Sequence, residues 1–504
     1  MRILSVLLIS ALALAGCAGG PTGTPKVGAG VSGALTVACY DSMMQRNFLE
    51  QAAAGFMEKY PDTEVVVESF SEMPEIKTME GENTKMTMVQ IGDDTQSKSD
   101  YISKVNTELM SGKGADVLLM DVLPYYRYAE KKQIENLREY MDGDDGFDMS
   151  EYWGNVIDAM EYGGGLYAIP MDFAFNMFMY DKTLLTGEQI EKVTSGERLT
   201  YERLMDIGGQ TVAAAKEGSE VPVWVFASST DRFFTTLFKE NYGAFVDLHG
   251  KKANFTDGAF VSLLERLGGY AEREWIDSQK MANIGEAADF SPGQTTMQFR
   301  QELSMFKSYM SMNLLNRFNT DDNRKRGGTM MAVYGGGGGM PTEDDEIAGL
   351  VSDASGGYPF TVSRALSINS NSSEKELAWE FIKYLLSFDV QSSMQMMNDS
   401  INRDAGAERA KHQITGEMFF QKDIDQVPLS QGRARDLDDD EQTVFDNYWE
   451  AFEGYVTKLD TYNAEDATVE ALIKAETEGF FEGKRQAGEV AASLQNKISL
   501  YLNE

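Results

Sequence analysis

The strongest constraint on the fold is an alternation of short apolar runs with helical segments in the first 120 residues. Residues 34–40 (ALTVACY) form a strand-type run rich in β-branched and apolar residues. Phe48, Leu49, Ala52, Ala53, Phe56, Met57 and Tyr60 follow at helical spacing, and Pro61-Asp62 stops that helix. A second strand reads EVVVESF over 64–70. Residues 71–98 are polar without a clear period and read as an insertion or long loop. Ser99-Asp100 caps a helix carrying Ile102, Val105 and Leu109, closed by Gly112 and Gly114. The third strand, ADVLLMD over 115–121, is almost continuously apolar, the mark of a strand buried on both faces. Strands joined by helical crossovers predict an α/β architecture with mainly parallel sheets flanked by helices.

A second alternation begins with LYAIPM (166–171) and the strand Asn176–Tyr180. It continues with a helix near Tyr201–Lys216, a strand at Val221–Phe226, and helices near Arg232–Asn241 and Phe255–Arg273. Residues 278–296 read as loop, and Thr329–Tyr334 as a strand followed by five glycines, Gly335–Gly339. Ala365–Asn369 is a further strand, and Glu374–Leu386 an amphipathic helix with Leu377, Ala378, Phe381, Ile382 and Leu385 on one side. From Thr443 onward the pattern is mostly helical, after an acidic break at Asp436–Asp440.

A chain of 504 residues suits two or three domains. Its net charge of −35 repels nucleic acid and anionic lipid, and also serves solubility. The amino terminus has a different character. Met1-Arg2, an apolar stretch Ile3–Ala15 and Gly16 before Cys17 read as a secretory signal, and the stretch is too short to span a bilayer. Leu14-Ala15-Gly16-Cys17 resembles the bacterial lipobox, which implies lipidation of Cys17 and cleavage before it. Residues 18–32 have the composition of a flexible tether. The other cysteine, Cys39, then has no partner, and His249 and His412 sit in no metal-spacing motif, so neither a disulfide, a metal nor a cofactor is expected.

Several segments in order resemble the extracellular solute-binding proteins of ABC importers, in particular the sugar-binding group that includes maltose-binding protein. They are Gly55–Pro61 (GFMEKYP), Gly114-Ala115-Asp116-Val117 leading to Asp121, and Tyr128-Ala129-Glu130 with Ile134–Leu137. Tyr162–Pro170 (YGGGLYAIP) with Tyr180-Asp181-Lys182 is similar to that family's first crossing between lobes. Phe245–Asp247, Lys252–Phe255, Ile368–Ser372 before Ala378–Ile382, and Phe480–Gly483 continue the series. The resemblance implies a two-lobe, periplasmic-binding-protein-like fold of type II with hinge-connected lobes. The expected parts are a signal peptide at 1–16, a lipid-anchored tether at 17–32, one lobe from 33–165 and 350–400, a second from 166–349, and a mainly helical region at 401–504. It further implies a non-enzymatic monomer that captures a carbohydrate between the lobes and hands it to permease subunits driven by a cytoplasmic ATPase. Such a protein is extracytoplasmic and touches the membrane through its lipid only.

Open α/β sheets bind ligands beyond the carboxyl ends of their strands, and sugars are held by carboxylates, amides and aromatic rings. Candidate ligand contacts by that logic are Tyr40, Asp41, Asp121, Tyr125, Asp172 and Asn176. Ser229, Asp231, Arg232 and Phe233 stand where the resemblance implies an acidic–aromatic contact pair. Tyr334, Gly337 and Met340 stand where it implies a stacking aromatic, with glycine in place of the expected Trp. Arg364 completes the set, with a surface cation as its alternative reading. Asp121 reads equally as a helix cap, and Tyr40 and Tyr334 equally as core. Trp379, on an apolar helix face, reads as core. Two rival classes stay open: a secreted glycosidase with paired carboxylates, and a surface glycan-binding lipoprotein without a permease. The run Asp142–Asp148 lacks the Gly and Glu of a calcium loop and reads as an acidic turn. The five glycines lack the Gly-Lys-Ser/Thr of a phosphate loop.

Overall fold

The computed structural model describes residues 30–40, 45–70, 76–81, 84–89, 95–277, 302–318, 342–393, 395–396, 398–416, 429, 432–464 and 466–504. The first part of the chain forms β1 (Gly33–Tyr40), α1 (Gln45–Lys59), β2 (Thr63–Phe70), β3 (Ile76–Gly81), β4 (Thr84–Val89), α2 (Thr95–Met110), β5 (Val117–Leu119) and α3 (Tyr125–Glu130). Next come β6 (Ile169–Pro170), β7 (Asp172–Asp181), α4 (Thr230–Glu240), α5 (Ala259–Glu272), β8 (Phe306–Met310) and β9 (Asp345–Leu350). The chain returns through β10 (Pro359–Thr361), β11 (Ala365–Ile368), α6 (Lys375–Leu385), β12 (Asp399–Ser400) and α7 (Arg403–Ile414). It ends with α8 (Asp439–Val456), β13 (Thr461–Tyr462), α9 (Ala467–Phe481) and α10 (Ala487–Asn503).

The first sheet has the order β2-β1-β5-β11-β6. β1 pairs in parallel with β2 along its whole length, and with β5 on its other side. β11 runs antiparallel to both β5 and β6. The reason is topological: β6 carries the chain out of this sheet and β11 brings it back, so the two must oppose. The core behind the sheet holds Phe48 and Phe56 of α1, and Trp379, Phe381 and Ile382 of α6, all fully buried. Asp144, inside the expected acidic turn, accepts hydrogen bonds from the Trp379 indole (2.9 Å) and the Gly146 amide (2.9 Å) and pairs with Lys383 (2.6 Å). Cys39 is buried and forms no disulfide among the described residues.

β7 joins this core to a second one. It pairs antiparallel with four strands, β8, β9, β10 and β12. Phe173, Phe175 and Met177 belong to the first core, and Phe178 and Tyr180 to the second. The second core gathers Phe226, Phe233, Phe234, Phe255 and Phe260 around α4 and α5. The carboxyl-terminal helices divide between the two. α8 places Tyr448 and Phe452 in the first core, whereas α9 and α10 bring Val469, Leu494 and Ile498 to the second.

Several elements differ from the sequence expectation. Within the stretch 71–98, expected as an insertion or long loop, residues 76–81 and 84–89 pair as antiparallel strands, from Ile76↔Val89 to Gly81↔Thr84. Thr and Met alternate there, and polarity masks the β preference of threonine. The single helix expected near 201–216 is two, Tyr201–Gly209 and Val212–Glu217, broken after the glycine pair Gly208-Gly209. The acidic break is the cap of α8: Asp438 accepts from the Asp440 and Glu441 amides, and Glu441 answers to the Asp438 amide at 3.1 Å. The loop expected at 278–296, the strand at Thr329–Tyr334 and the five glycines lie outside the described residues.

Replacing Trp379 by Phe keeps most of the buried ring surface but removes the indole donor from Asp144. The expected outcome is a loss of about 1–3 kcal/mol, read as a lower midpoint in urea unfolding with an unchanged slope.

Candidate functional site

β5 ends against a short loop, and that loop opens a small, partly open recess of about 70 Å³. One wall is Met120, Asp121, Leu123, Pro124, Tyr125 and Tyr126, the turn from β5 into α3. Thr361 and Val362, at the end of β10, form the second wall. The third is Tyr462, Asn463 and Ala464, from β13 and the chain just after it. Three distant segments therefore meet at the carboxyl end of a sheet strand, where α/β folds place ligands. β10 and β13 are held together by a parallel pair, Phe360↔Tyr462, and by the Asn463 amide on the Phe360 carbonyl at 2.9 Å.

Asp121 supplies the carboxylate of the recess. Its Oδ1 accepts from the Val122 amide at 2.9 Å, and no side chain caps α3, so the helix-cap alternative is excluded. Burial raises its pKa to about 7, against the lowering influence of the Val122 amide, Lys98 and Arg364. Tyr125 is buried, with its hydroxyl 3.5 Å from the Met160 carbonyl and its ring 6.2 Å from that of Tyr462. The Tyr126 hydroxyl donates to Asp466. Both hydroxyls of the first wall are thus committed elsewhere.

A ladder of rings leads from the recess to the second lobe. Tyr125 lies 6.3 Å from Tyr162, and Tyr162 stacks on His249 at 4.2 Å. Tyr162 sits in a two-residue turn whose Gly163 and Gly164 both have positive φ, of 58° and 85°. Its hydroxyl donates to Glu130 (2.6 Å), which also pairs with Lys251 (2.6 Å). His249 and Lys251 belong to the turn of the hairpin Val246–Asp247/Lys252–Ala253, and Leu248, just before them, packs on both cores.

Behind the recess lies a buried charge cluster where the chain crosses between the cores. Asp172 accepts from the Ser363 and Arg364 amides at 3.0 and 3.1 Å. The Arg364 guanidinium donates to Gln45 (2.5 Å) and lies 4.5 Å over the Phe48 ring. Burial raises the pKa of Asp172 and lowers that of Arg364, and each charge counteracts the shift of the other. Burial also raises Asp399 to about 6, opposed by the Ser311 hydroxyl that donates to it and by Arg409. Arg409 in turn donates to the carbonyls of Asn398 and Met396.

The sequence candidates therefore separate. Asp121 and Tyr125 line the recess. Asp172 and Arg364 lie behind it; Arg364 is 3% exposed, which corrects its surface-cation reading. Tyr40 is buried at the end of β1, its ring 5.8 Å from Tyr101. Asn176 is exposed in mid-β7, and its carbonyl accepts from the Val351 amide. Ser229 is buried before α4, with Asp231 and the exposed Arg232 in the first turn. Phe233 is enclosed by Phe226 and Tyr201, at 5.4 and 5.8 Å. Asp41, Tyr334, Gly337, Met340 and Cys17 lie outside the described residues. Sequence reasoning missed Thr361, Tyr462 and Asn463. Their one signal is a short β-type pair, Thr461-Tyr462, interrupting a helical region. Among the described residues no cluster of three or more His, Cys, Asp or Glu is arranged to hold a metal ion.

The raised carboxyls fix a pH response. An unfolded Asp titrates near 3.9, so between about pH 4 and 7 the native protein holds protons that the unfolded chain has lost. Stability from Asp121 and Asp399 is greatest below that window and falls as pH rises through it. Asp121→Asn should match the wild type at pH 4 and exceed it at pH 8 in urea unfolding of the ligand-free protein. Equal gains at both pH values would refute the assignment.

Comparison with known proteins places this architecture. Residues 76–400 match the family described as bacterial extracellular solute-binding protein, well over half of the chain. The fold is similar to that of the sugar-binding protein MalE from Xanthomonas citri, with a TM-score of 0.51 at 13% identity, over 94% of this chain and 98% of that one. Maltose-bound MalE3 of T. maritima gives a TM-score of 0.48 at 15% identity, over 93% and 99% of the two chains. The substrate-binding protein Lmo0181 of Listeria monocytogenes, in complex with cycloalternan, gives 0.49 at 14%, also over 93% and 99%. Two cores joined by crossing strands, likeness to MalE over nearly the whole chain and the match over 76–400 agree: the chain has the two-lobe type II binding-protein fold and belongs to the bacterial extracellular solute-binding protein family.

Proposed function

We propose that this protein is the substrate-binding component of an ABC importer and captures a carbohydrate in the recess between β5, β10 and β13. The observation that carries the reading is the composition of the recess: one carboxylate, an Asn side chain and three tyrosine rings, two of them with their hydroxyls engaged elsewhere. A carboxylate and an amide suit sugar hydroxyls, and rings suit the C–H faces of a pyranose. The similar Xanthomonas protein is itself a sugar-binding protein. The glycosidase alternative needs two carboxylates flanking one bond. Among the lining residues Asp121 is the one carboxylate, which favours binding without turnover.

In this reading the lobes close on the sugar, and the closed form is what the permease and its ATPase accept. A ligand shifts such an equilibrium only by its preference for the closed state. Cys17, lipidated at the membrane face, keeps the binder beside its permease. A diacylglyceryl group suits that role, since a single acyl chain holds only marginally.

A thermal-shift panel of mono- and oligosaccharides tests the ligand class. At a hundred times its Kd a sugar stabilises the native state by about 2.7 kcal/mol and raises Tm accordingly. Asp121→Ala should weaken that sugar roughly tenfold, the loss of about one charged hydrogen bond. Amino acids shifting Tm where all sugars fail would sink the carbohydrate assignment, and hydrolysis of a glycoside would make the protein an enzyme. For the anchor, Cys17→Ser should move the protein from the membrane fraction to the soluble one. A variant that still sediments with membranes would exclude the lipid.

A further inference from the structure

We infer that Asp466 is a positioning residue of the recess, tying its first wall to its third across the joint between the lobes. This inference rests on the recess being the ligand site. The carboxylate is 3% exposed and divides its two oxygens between two tasks. Oδ1 accepts from the Thr468 and Val469 amides, at 2.9 and 3.0 Å, and so starts α9. Oδ2 accepts from the Tyr126 hydroxyl and, at 2.9 Å, from the Tyr501 hydroxyl of α10.

The two tasks join parts of the molecule that belong to different cores. Tyr126 is in the first core and lines the recess. α9 and α10 are packed into the second core through Val469, Ile473, Leu494 and Ile498. Arg127, the neighbour of Tyr126, reinforces the joint by lying 4.6 Å over the Tyr501 ring. The third wall, Tyr462–Ala464, ends two residues before Asp466, so it is suspended between the β10 pairing on one side and this carboxylate on the other. A shift of α9 and α10 relative to the first lobe must therefore change the distance between the Tyr126 ring and the Asn463 side chain. The width of the recess, and with it the length and shape of ligand accepted, follows from the Tyr126–Asp466 bond.

Tyr126→Phe removes that bond while keeping the ring, the α9 cap and the Tyr501 contact. Tyr501→Phe is its control, removing the other hydroxyl from the same oxygen. The first measurement is amide hydrogen exchange in the full-length, ligand-free protein. The Asn463 and Ala464 amides are bonded to the carbonyls of Phe360 and Tyr462, at 2.9 and 3.1 Å. In Tyr126→Phe they should exchange roughly 2- to 10-fold faster, with the middle of α9 unchanged; in Tyr501→Phe they should stay within about twofold of wild type. The second measurement is the ratio of affinities for maltose and maltotriose, which should change roughly 2- to 10-fold in Tyr126→Phe alone. Unchanged exchange at 463–464, or equal effects of the two variants, would overturn the positioning role. A wild type that binds neither sugar removes support from the carbohydrate reading, and the exchange measurement still decides the role of Asp466.

Discussion

The structure depends on the fully buried carboxylate of Asp172. It stands at the first residue of β7, where the chain leaves one lobe, and takes the amides of Ser363 and Arg364, where the chain comes back. Outgoing and returning crossings are thereby locked in register. A carboxylate this deep costs several kcal/mol in desolvation, which two amide donors and the nearby Arg364 offset only in part, so its pKa stays raised. Arg364 is then committed to Gln45 of α1, so the same cluster also fixes the helix that covers the first sheet. The buried pair Asp399 and Arg409 continues the network into β12 and α7. The second wall of the recess, Thr361 and Val362, stands directly before the Ser363 and Arg364 amides that this carboxylate holds.

Magnitudes indicate where such a molecule can open. The two amide bonds on Asp172 are buried, and loss of such bonds leaves a buried polar group unpaired at a cost of about 1–3 kcal/mol. The contacts farther along the ladder of rings are of a different kind. Glu130 and Lys251 keep 26% and 45% of their side-chain surface in water, and such pairs contribute about 0–1 kcal/mol. The stack of Tyr162 on His249 adds a similar amount. A hinge motion that breaks the Glu130–Tyr162–His249–Lys251 contacts and spares Asp172 is therefore the inexpensive one. It moves the 246–253 hairpin away from the first lobe.

The fold was legible wherever apolar or β-branched residues ran together. β1, β2, β5 and β11 are apolar runs with little to confuse them, and α1 and α6 show clean helical spacing. Legibility failed where short polar β-formers carried the structure, as in the β3–β4 pair and in β13. The site divided for the same reason. Asp121 and Tyr125 follow from the rule that strand ends face ligands. Tyr462 and Asn463 reach the recess only through pairing with β10, about a hundred residues earlier in the chain, and no local pattern records such a pairing. Arg364 and Asp172 have the composition of ligand contacts, yet one oxygen of Asp172 is taken by the Ser363 and Arg364 amides and the Arg364 guanidinium by Gln45. Sequence gives the residue type but not its partner.

The recess also explains why a carboxyl with a raised pKa suits a binding protein. Asp121 titrates near neutral pH because burial disfavours its charge and its neighbours only partly compensate. Such a group is a poor permanent anion but an adaptable hydrogen-bonding partner. Protonated, it donates one hydrogen bond and still accepts; ionised, it accepts from hydroxyls in charge-assisted bonds. A ligand rich in hydroxyls favours the ionised form, because each donor stabilises the charge that burial disfavours. On the proposed reading of the recess as the ligand site, binding of such a ligand would release protons around pH 6–7. On that reading the coupling follows from the burial of Asp121, and Asp121→Asn would abolish it while leaving the walls of the recess in place.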